Sequence, residues 1–167
     1  MGMYDPDSGE PFIWKYAYGD AENFNDWGQY PRLYTVYNEL SDEEYKLEDA
    51  SEYPFSIKPN KKVSIADMVD YYRNTMEGTP YDMTEDEGWY YTGKDGEKVK
   101  STMATPQVTQ EMRNLLGIEY YRPIARYYCS VYWIGQARDW MPNDIGGLLW
   151  FGLDNPENSP FVPMYLG

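Results

Sequence analysis

The sequence has no histidine and only one cysteine, Cys129. Without an imidazole group, Ser–His and Cys–His catalysis within this chain is excluded, and so are the common zinc sites built on imidazole ligands. A single cysteine cannot form an internal disulfide framework, which leaves the redox compartment open. The aromatic and β-branched neighbours of Cys129 indicate a small buried hydrophobe inside a strand. We therefore do not expect it to be a nucleophile.

Positive charge and long apolar runs are also scarce. The 14 lysines and arginines face 28 acidic residues, which gives a net charge of −14. That balance argues against nucleic acid and anionic membrane surfaces as partners, because both carry the same sign. No apolar run approaches transmembrane length, and no basic region followed by an apolar core indicates a signal peptide. We expect a soluble protein with no nucleic-acid partner and no membrane span, either cytoplasmic or exported.

Aromatic residues are abundant and point to a sheet. They make up 18% of the 167 residues, 19 of them tyrosines, and the chain is long enough for one domain without an internal boundary. Residues 124–134 are dense in aromatic and β-branched side chains, which predicts a strand. Residues 148–151 predict a second strand, and 161–165 a return strand beside it, with Pro163 favouring an edge position.

Helix signals occur at several places in the chain. Leu33, Val36, Tyr37 and Leu40 have the spacing of one helical face, beginning at Pro31. Ser64 with Asp67 approximates a capping box and predicts a helix that stops near Gly78, with Met76 on its apolar stripe. Further predictions cover a possible strand at 11–16, an acidic solvated loop at 41–52, a hairpin at 89–100, and a helix opened by Thr105-Pro106 and ended by Gly117.

Two polar stretches could line a cleft. The first is a glycine–proline turn at the end of the Ser64 helix, with Glu77, Thr79 and Asp82. The alternative is a turn in which Glu77 and Asp82 simply bond nearby backbone N–H groups. The second follows the first predicted strand, which places its polar residues at the mouth of the sheet. These are Gln136, Arg138, Asp139, Asn143 and Asp144.

Three sequence blocks resemble one known family. The longest is Gln136-x-Arg138-x-Trp140-x-Pro142-x-x-Ile145-Gly146-Gly147-x-x-Trp150-Phe151. The others are Tyr53-Pro54-Phe55-Ser56-Ile57-Lys58-Pro59 and Glu77-Gly78-Thr79-Pro80-Tyr81-Asp82-Met83-Thr84. In order and spacing they resemble the dipeptidase A family of N-terminal-nucleophile cysteine peptidases, over most of the chain after Pro31. The segment at 85–105 departs from the family pattern, so no substrate contact is carried over there.

The resemblance implies a fold and an activity. The fold is α+β, an antiparallel sheet with packed helices, as part of an N-terminal-nucleophile (Ntn) hydrolase-like αββα sandwich. The activity is hydrolysis of dipeptides or other short peptides, without metal or cofactor. The family's nucleophile is a cysteine at the mature N-terminus, whereas this chain opens with Met1-Gly2-Met3-Tyr4. We therefore expect residues 1–167 to be a central to C-terminal segment, with the nucleophile on the missing N-terminal half of the same protein.

A dipeptidase must hold both ends of its substrate, which assigns roles to the candidates. Glu77 and Asp82 suit a free ammonium group, and Arg126 or Arg138 suits a terminal carboxylate. For Arg138, the alternative is an ion pair with Asp139 or Asp144 that pins the loop. Gln136 and Asn143 are neutral groups suited to orientation, and Thr79 belongs to the same block as Glu77.

Two other functions remain open on the sequence. An acidic domain rich in tyrosine and tryptophan could be a non-enzymatic carbohydrate- or peptide-binding module that stacks its ligand on exposed aromatic rings. An acylase that acts on N-acyl amides would use the same nucleophile chemistry as the dipeptidase.

Overall fold

A computed structural model of the chain describes residues 4–5, 7–9, 11–12, 18 and 28–166. Most of the strand predicted at 11–16 lies outside the described residues. The fold is α+β, as predicted. Its helices are α1 (Tyr30–Leu40), α2 (Ile65–Arg73), α3 (Gln110–Leu116) and α4 (Asn143–Gly146). Its strands are β1 (Tyr90–Thr92), β2 (Lys98–Lys100), β3 (Val131–Ala137), β4 (Gly147–Leu153) and β5 (Val162–Tyr165), and short 3₁₀ helices span Leu47–Glu52, Met83–Glu85 and Glu87–Trp89.

The largest described sheet is antiparallel and has the strand order β3-β4-β5. Val131 pairs with Leu153 at one end of the β3–β4 ladder, and β5 pairs with the outer side of β4. The predicted return strand is thereby confirmed. Pro163 lies on the edge strand, where a residue without an N–H is tolerated.

The two faces of this sheet differ in their packing. Tyr132 and Ile134 are buried on the face that packs against α2. The Tyr72 hydroxyl of α2 donates to the Trp133 carbonyl at 3.0 Å, and its ring lies 5.9 Å from the Tyr132 ring. The opposite face is apolar and mostly exposed among the described residues, with only Leu149 and Phe151 half-buried. It carries Val131, Trp133, Leu149, Phe151, Leu153, Val162 and Met164.

The first strand begins later than predicted. Residues 124–130 are turns, not strand, so that part of the prediction is wrong. The Ala125 N–H donates to the Asn74 carbonyl at 2.9 Å, and the Cys129 N–H donates to the Arg126 carbonyl at 3.1 Å. Because the N–H groups of Ala125 and Cys129 donate to these carbonyls, this segment does not extend the β3–β4 ladder. Cys129 therefore lies half-buried in a turn before β3, with its thiol donating to the Val131 carbonyl, and not inside a strand.

Helix α2 begins as predicted but ends earlier. The Ser64 hydroxyl accepts from the Asp67 N–H at 3.1 Å, and the Asp67 carboxylate accepts from the Ser64 N–H at 2.7 Å, which completes the capping box. The helix stops at Arg73 because Asn74 turns to extended backbone and its side chain accepts from the Met76 N–H. Met76 has a φ of 69° and is fully buried outside the helix, so its predicted place on the helical stripe is wrong.

Helix α3 also begins at a different cap from the predicted one. The Thr109 hydroxyl accepts from the Met112 N–H at 3.3 Å and caps the helix, whereas Thr105 accepts from the Gln107 N–H within a preceding turn. The helix therefore starts at Gln110. Its end at Gly117 is as predicted, with a left-handed φ of 70°.

The remaining predictions have mixed outcomes. Helix α1 is confirmed with Pro31 in its first turn, and β1 and β2 form the predicted hairpin. The acidic connector at 41–52 is only partly a loop, because its last six residues form the 3₁₀ helix Leu47–Glu52.

A small apolar core fixes the turn after α2 against the segment around α3. Its buried members are Met83, Trp89, Val108 and Ile118. The Trp89 indole N–H donates to the Met83 carbonyl at 2.8 Å, which satisfies its only polar atom. Across the described residues, no helix has the length and apolar character that crossing a membrane requires.

Candidate functional site

Glu77 and Thr79 line a cavity of about 420 Å³ between α1 and the turn after α2. Helix α1 supplies one wall and residues 74–80 supply the other. The lining residues are Tyr34, Thr35, Asn38, Glu39, Asn74, Glu77, Gly78, Thr79 and Pro80. We call this the acidic cavity, since two carboxylates belong to its lining.

The turn that forms one wall is held by its own side chains. The Thr79 hydroxyl donates to the Met76 carbonyl at 2.7 Å and accepts from the Tyr81 N–H at 3.1 Å. Gly78 takes a left-handed φ of 74°, which a side chain would disfavour. The Thr79 hydroxyl thus shapes the wall through bonds within the turn.

Asp82 is a structural residue of this turn. Its carboxylate accepts from the Gly78 N–H at 2.9 Å, the Thr84 N–H at 2.9 Å and the Thr84 hydroxyl at 2.7 Å. Partial burial raises the pKa of Asp82, but the hydrogen bonds from Thr84 and Gly78 outweigh it and hold the pKa below its ordinary value. The backbone-bonding alternative therefore holds for Asp82.

Glu77 differs from Asp82 in its surroundings. It is exposed at the cavity rim, and no hydrogen bond or ion pair to its carboxylate is found among the described residues. Glu39 of α1, which the sequence analysis missed, lies in the same cavity. Burial raises the pKa of Glu39; Lys61 opposes this shift, while Asp70 and Asp67 add to it. The sequence does contain a signal for Glu39, because Thr35, Asn38 and Glu39 have the spacing of one polar face of a helix.

Arg126 lies in the turns before β3, beside other arginines. Its guanidinium carbon is 4.1 Å from the centre of the Tyr128 ring, and its Nε is buried without a hydrogen-bond partner in the described part of the chain. Burial lowers the pKa of Arg32, and the charges of Arg122 and Arg126 lower it further.

A second cavity of about 580 Å³ adjoins α3 and this arginine-rich segment. Its lining residues are Gln110, Arg113, Tyr120, Tyr127 and Tyr128. The Arg113 guanidinium carbon lies 4.1 Å from the centre of the Tyr120 ring. The sequence analysis missed these residues, although two Tyr-Tyr pairs with Arg122 and Arg126 between them mark the segment. We call this the tyrosine cavity.

The acidic cavity and Arg126 lie on neighbouring segments. Asn74 lines the acidic cavity, and its carbonyl accepts from the Ala125 N–H, one residue before Arg126. The fold therefore brings the Glu77 turn and the Arg126 turn next to each other, although Arg126 is not among the residues that line the acidic cavity.

The remaining candidates lie at the other end of β3. The seven residues of β3 span about 20 Å, and Arg126 precedes its first residue. Gln136 accepts from the Trp150 indole N–H at 3.2 Å, and Asn143 is exposed at the start of α4. Arg138 donates to the Ile145 carbonyl, and no ion pair to it is found in the described residues. It pins the loop through that carbonyl, not through the expected Asp139 or Asp144.

The described residues contain two cavities and an apolar sheet face, but no histidine and no metal-binding cluster. Cys129 donates its thiol to a backbone carbonyl, the chain contains no histidine, and no cluster of three metal-binding side chains is found where the structure is described. What the geometry supplies is an acidic cavity, an arginine-flanked tyrosine cavity and an uncovered apolar sheet face.

Comparison with known proteins identifies the family. The chain belongs to Peptidase family C69, whose family model matches residues 2–167. It is 24% identical over 168 residues to a probable dipeptidase of Salmonella dublin, an alignment that covers 100% of this chain and 32% of that protein. The chain thus spans about a third of the length of this relative. No solved structure gives a significant match. The resemblance to the dipeptidase A family is therefore confirmed.

Proposed function

We propose that the protein is a peptide hydrolase, a dipeptidase of the N-terminal-nucleophile cysteine class. In this proposal the chain supplies cleft and scaffold residues, as a central to C-terminal segment, and the nucleophile comes from polypeptide outside it. The observation that carries the proposal is the family match over residues 2–167, together with the name of the similar dipeptidase.

Glu77 is the residue that we propose to receive the substrate ammonium group. Its carboxylate is exposed at the rim of the acidic cavity and has no competing partner in the described residues. Glu39 in the same cavity adds a second carboxylate, and a cation would relieve the raised pKa that burial gives it. Asp82 and Thr79 act differently, because their bonds keep the turn in the shape that presents Glu77.

The opposite end of the substrate needs a cation, and we propose Arg126 for its carboxylate. Arg126 lies on the segment that bonds to Asn74 of the acidic cavity. Gln136, Arg138 and Asn143 are at the far end of β3, where Gln136 and Arg138 already bond within the protein. These three residues would contact only a substrate that extended along the sheet. For a dipeptide, we therefore assign binding to Glu77 and Arg126.

The uncovered sheet face supports the proposed αββα architecture. Helix α2 covers one face of the β3-β4-β5 sheet, while the other face leaves Trp133 59% and Leu153 60% exposed. An apolar face of this kind marks an interaction surface. We propose that a second sheet, from the missing N-terminal half of the protein, packs on it.

The experiment that tests the function uses the full-length protein. N-terminal sequencing and intact mass define the mature N-terminus, and dipeptide hydrolysis is measured before and after thiol alkylation. We expect an N-terminal cysteine and loss of activity on alkylation. A mature N-terminus other than Cys, Ser or Thr would contradict the proposal. Comparing turnover of dipeptides with that of N-acyl amides separates a dipeptidase from an acylase.

One observation favours a second candidate, a non-enzymatic binding module. Trp133 is 59% exposed and Trp140 is 71% exposed, and exposed indole rings can stack on sugar rings. Titration of tryptophan fluorescence with oligosaccharides distinguishes the two functions. A saturable response without dipeptide hydrolysis would favour the binding module, whereas hydrolysis without a response favours the peptidase.

A further inference from the structure

Arg113, which lines the tyrosine cavity, has hydrogen-bond donors for which no acceptor is found among the described residues. We propose that this cavity is a carboxylate-binding site in which Arg113 is the principal ligand. On the proposed peptidase function, the carboxylate belongs to a short peptide. It is either an acidic side chain or the C-terminus, which Arg113 would then hold together with Arg126, since Arg126 stacks on Tyr128 of the same cavity. The proposal depends on that function only for the source of the ligand, because carboxylate binding can be measured without turnover.

The first argument is the hydrogen-bond inventory of Arg113. A guanidinium group has five N–H donors. In the described residues, one Nη donates to the Gln110 side chain at 2.6 Å, while Nε is buried without a partner. A buried donor left unsatisfied on a charged group is costly. The remaining Nη donors belong to a side chain that lines an open cavity, so a ligand with paired oxygens can bond them, whereas the buried Nε is closed to it.

The ion pairs of the described residues also leave the charge of Arg113 available. The chain carries 28 acidic residues, yet the ion pairs found among the described residues use lysines: Lys61–Asp67, Lys98–Glu87 and Lys100–Glu85. None of those residues forms an ion pair with Arg113. Hydrogen bonds from its own backbone N–H and from Thr109 lower the pKa of the neighbouring Glu111, and the charge of Arg113 lowers it further, but no ion pair joins Glu111 to Arg113 in the described residues. In so acidic a chain, an arginine that lines a cavity without a direct ion pair in the described residues has charge available for an external anion.

The third argument is the rigidity and size of the cavity. Arg113 stacks on Tyr120 and Arg126 on Tyr128, each at 4.1 Å from guanidinium carbon to ring centre. Such stacking orients a guanidinium fork in the way that bidentate recognition requires. The Tyr127 and Tyr128 rings meet edge to face at 4.7 Å. A cavity of about 580 Å³ is large enough for a small peptide, and its aromatic walls favour an organic acid over a hydrated inorganic anion.

Isothermal titration of the full-length protein tests the site with probes that lack a free amine. N-acetylglycine carries a terminal carboxylate, and N-acetylglycinamide carries none. The α-amide of N-acetylaspartate presents only a side-chain carboxylate, and inorganic phosphate controls for general anion binding. The variants are Arg113→Gln, Arg113→Lys and Tyr127→Phe. Lys94→Gln, an exposed hairpin residue, is the charge-matched control.

We expect N-acetylglycine to bind and its amide not to bind. Arg113→Gln should weaken binding by about tenfold or more, the loss expected for one charge-assisted hydrogen bond. Arg113→Lys should weaken it less, and Lys94→Gln not at all. Tighter binding of the aspartate probe would support the site with an acidic side chain as the ligand. If Arg113→Gln does not fold, the Arg113→Lys and Tyr127→Phe variants report on the same site.

Three results would overturn the proposal. They are equal binding of the acid and its amide, equal binding of phosphate and N-acetylglycine, and unchanged affinity in a folded Arg113→Gln protein. Failure of the peptidase function gives a different pattern, in which the full-length protein binds the acid in an Arg113-dependent way but hydrolyses no dipeptide. The two failures can therefore be told apart.

Discussion

Glu77 and Asp82 are five positions apart on one turn, but only the Asp82 carboxylate is hydrogen-bonded within the described residues. Asp82 accepts hydrogen bonds from Gly78 and Thr84, whereas Glu77 has no partner in the described residues. We predict that Glu77→Gln raises the KM for dipeptides and leaves the free energy of unfolding unchanged. Asp82→Ala should lower that free energy by about 1–2 kcal/mol, as the loss of a capping carboxylate does. Steady-state kinetics and urea unfolding measure the pair, and a stability loss in Glu77→Gln would contradict the assignment.

The same turn makes stability depend on pH. Because the pKa of Asp82 is lower in the folded chain than its ordinary value, its carboxylate stabilises the fold above about pH 4, the pKa of an unfolded aspartate. That contribution is lost as the pH falls through the folded-state pKa. We predict that the stability gap between the natural protein and Asp82→Ala is full at pH 7 and narrows below pH 4. Urea unfolding at pH 7 and below pH 4 measures the gap, and a gap that stays constant over this range would contradict the prediction.

At the scale of elements, β3 and β4 fit together through a glycine opposite a tyrosine. A Cβ built on Gly152 would lie 2.0 Å from the Tyr132 ring. Tyr132 cannot move aside easily, because it is buried and its hydroxyl donates to the Pro160 carbonyl at 3.1 Å. We predict that Gly152→Ala destabilises the protein by about 1–3 kcal/mol, a typical cost of overpacking. Gly135→Ala on the same ladder is the control, since its Cβ would meet nothing closer than 3.6 Å. Thermal unfolding of Gly152→Ala and Gly135→Ala tests the prediction. Equal melting temperatures would show that the Tyr132 ring moves aside without cost.

The elements that could be predicted from sequence are those specified by neighbouring residues. The Ser64–Asp67 capping box, the left-handed Gly117 and the edge position of Pro163 all depend on local chemistry, and all are confirmed. The strand at 124–130 is wrong because contacts distant in sequence decide it. The Ala125 N–H bonds Asn74, some fifty residues earlier, and no local pattern indicates that bond.

The residues of the candidate site also differ in whether local sequence could predict their position. Glu77 could be placed on a cavity from its glycine–proline turn, because such turns project polar side chains at helix ends. Asp82 has the same sequence signal but bonds the backbone, and only the three-dimensional turn distinguishes the two. Arg113 could not be predicted, because the cavity that it lines is formed by α3 and the 120–128 segment together.

At the scale of the whole molecule, the outer face of the β3-β4-β5 sheet should be buried in the full-length protein. Leu153 is 60% exposed on this face, and Leu115 is 83% exposed on α3. Both are accessible leucines in this chain, but only Leu153 lies on the face proposed to meet a second sheet. If that sheet packs there, a lysine at position 153 must place its charge in an apolar interface or break the contact.

We predict that Leu153→Lys lowers the stability of the full-length protein by about 2–4 kcal/mol, the range for large losses in a packed apolar site. Leu115→Lys should change it by less than about 0.5 kcal/mol, because an exposed position near a helix end tolerates a cation. Urea unfolding of the two full-length variants makes the comparison, and hydrogen exchange of β4 reports whether the sheet itself stays protected. Equal stability of the two variants would mean that the face is free in the whole protein. The exposed tryptophans would then be accessible to a ligand, and the binding module would become the better explanation of this surface.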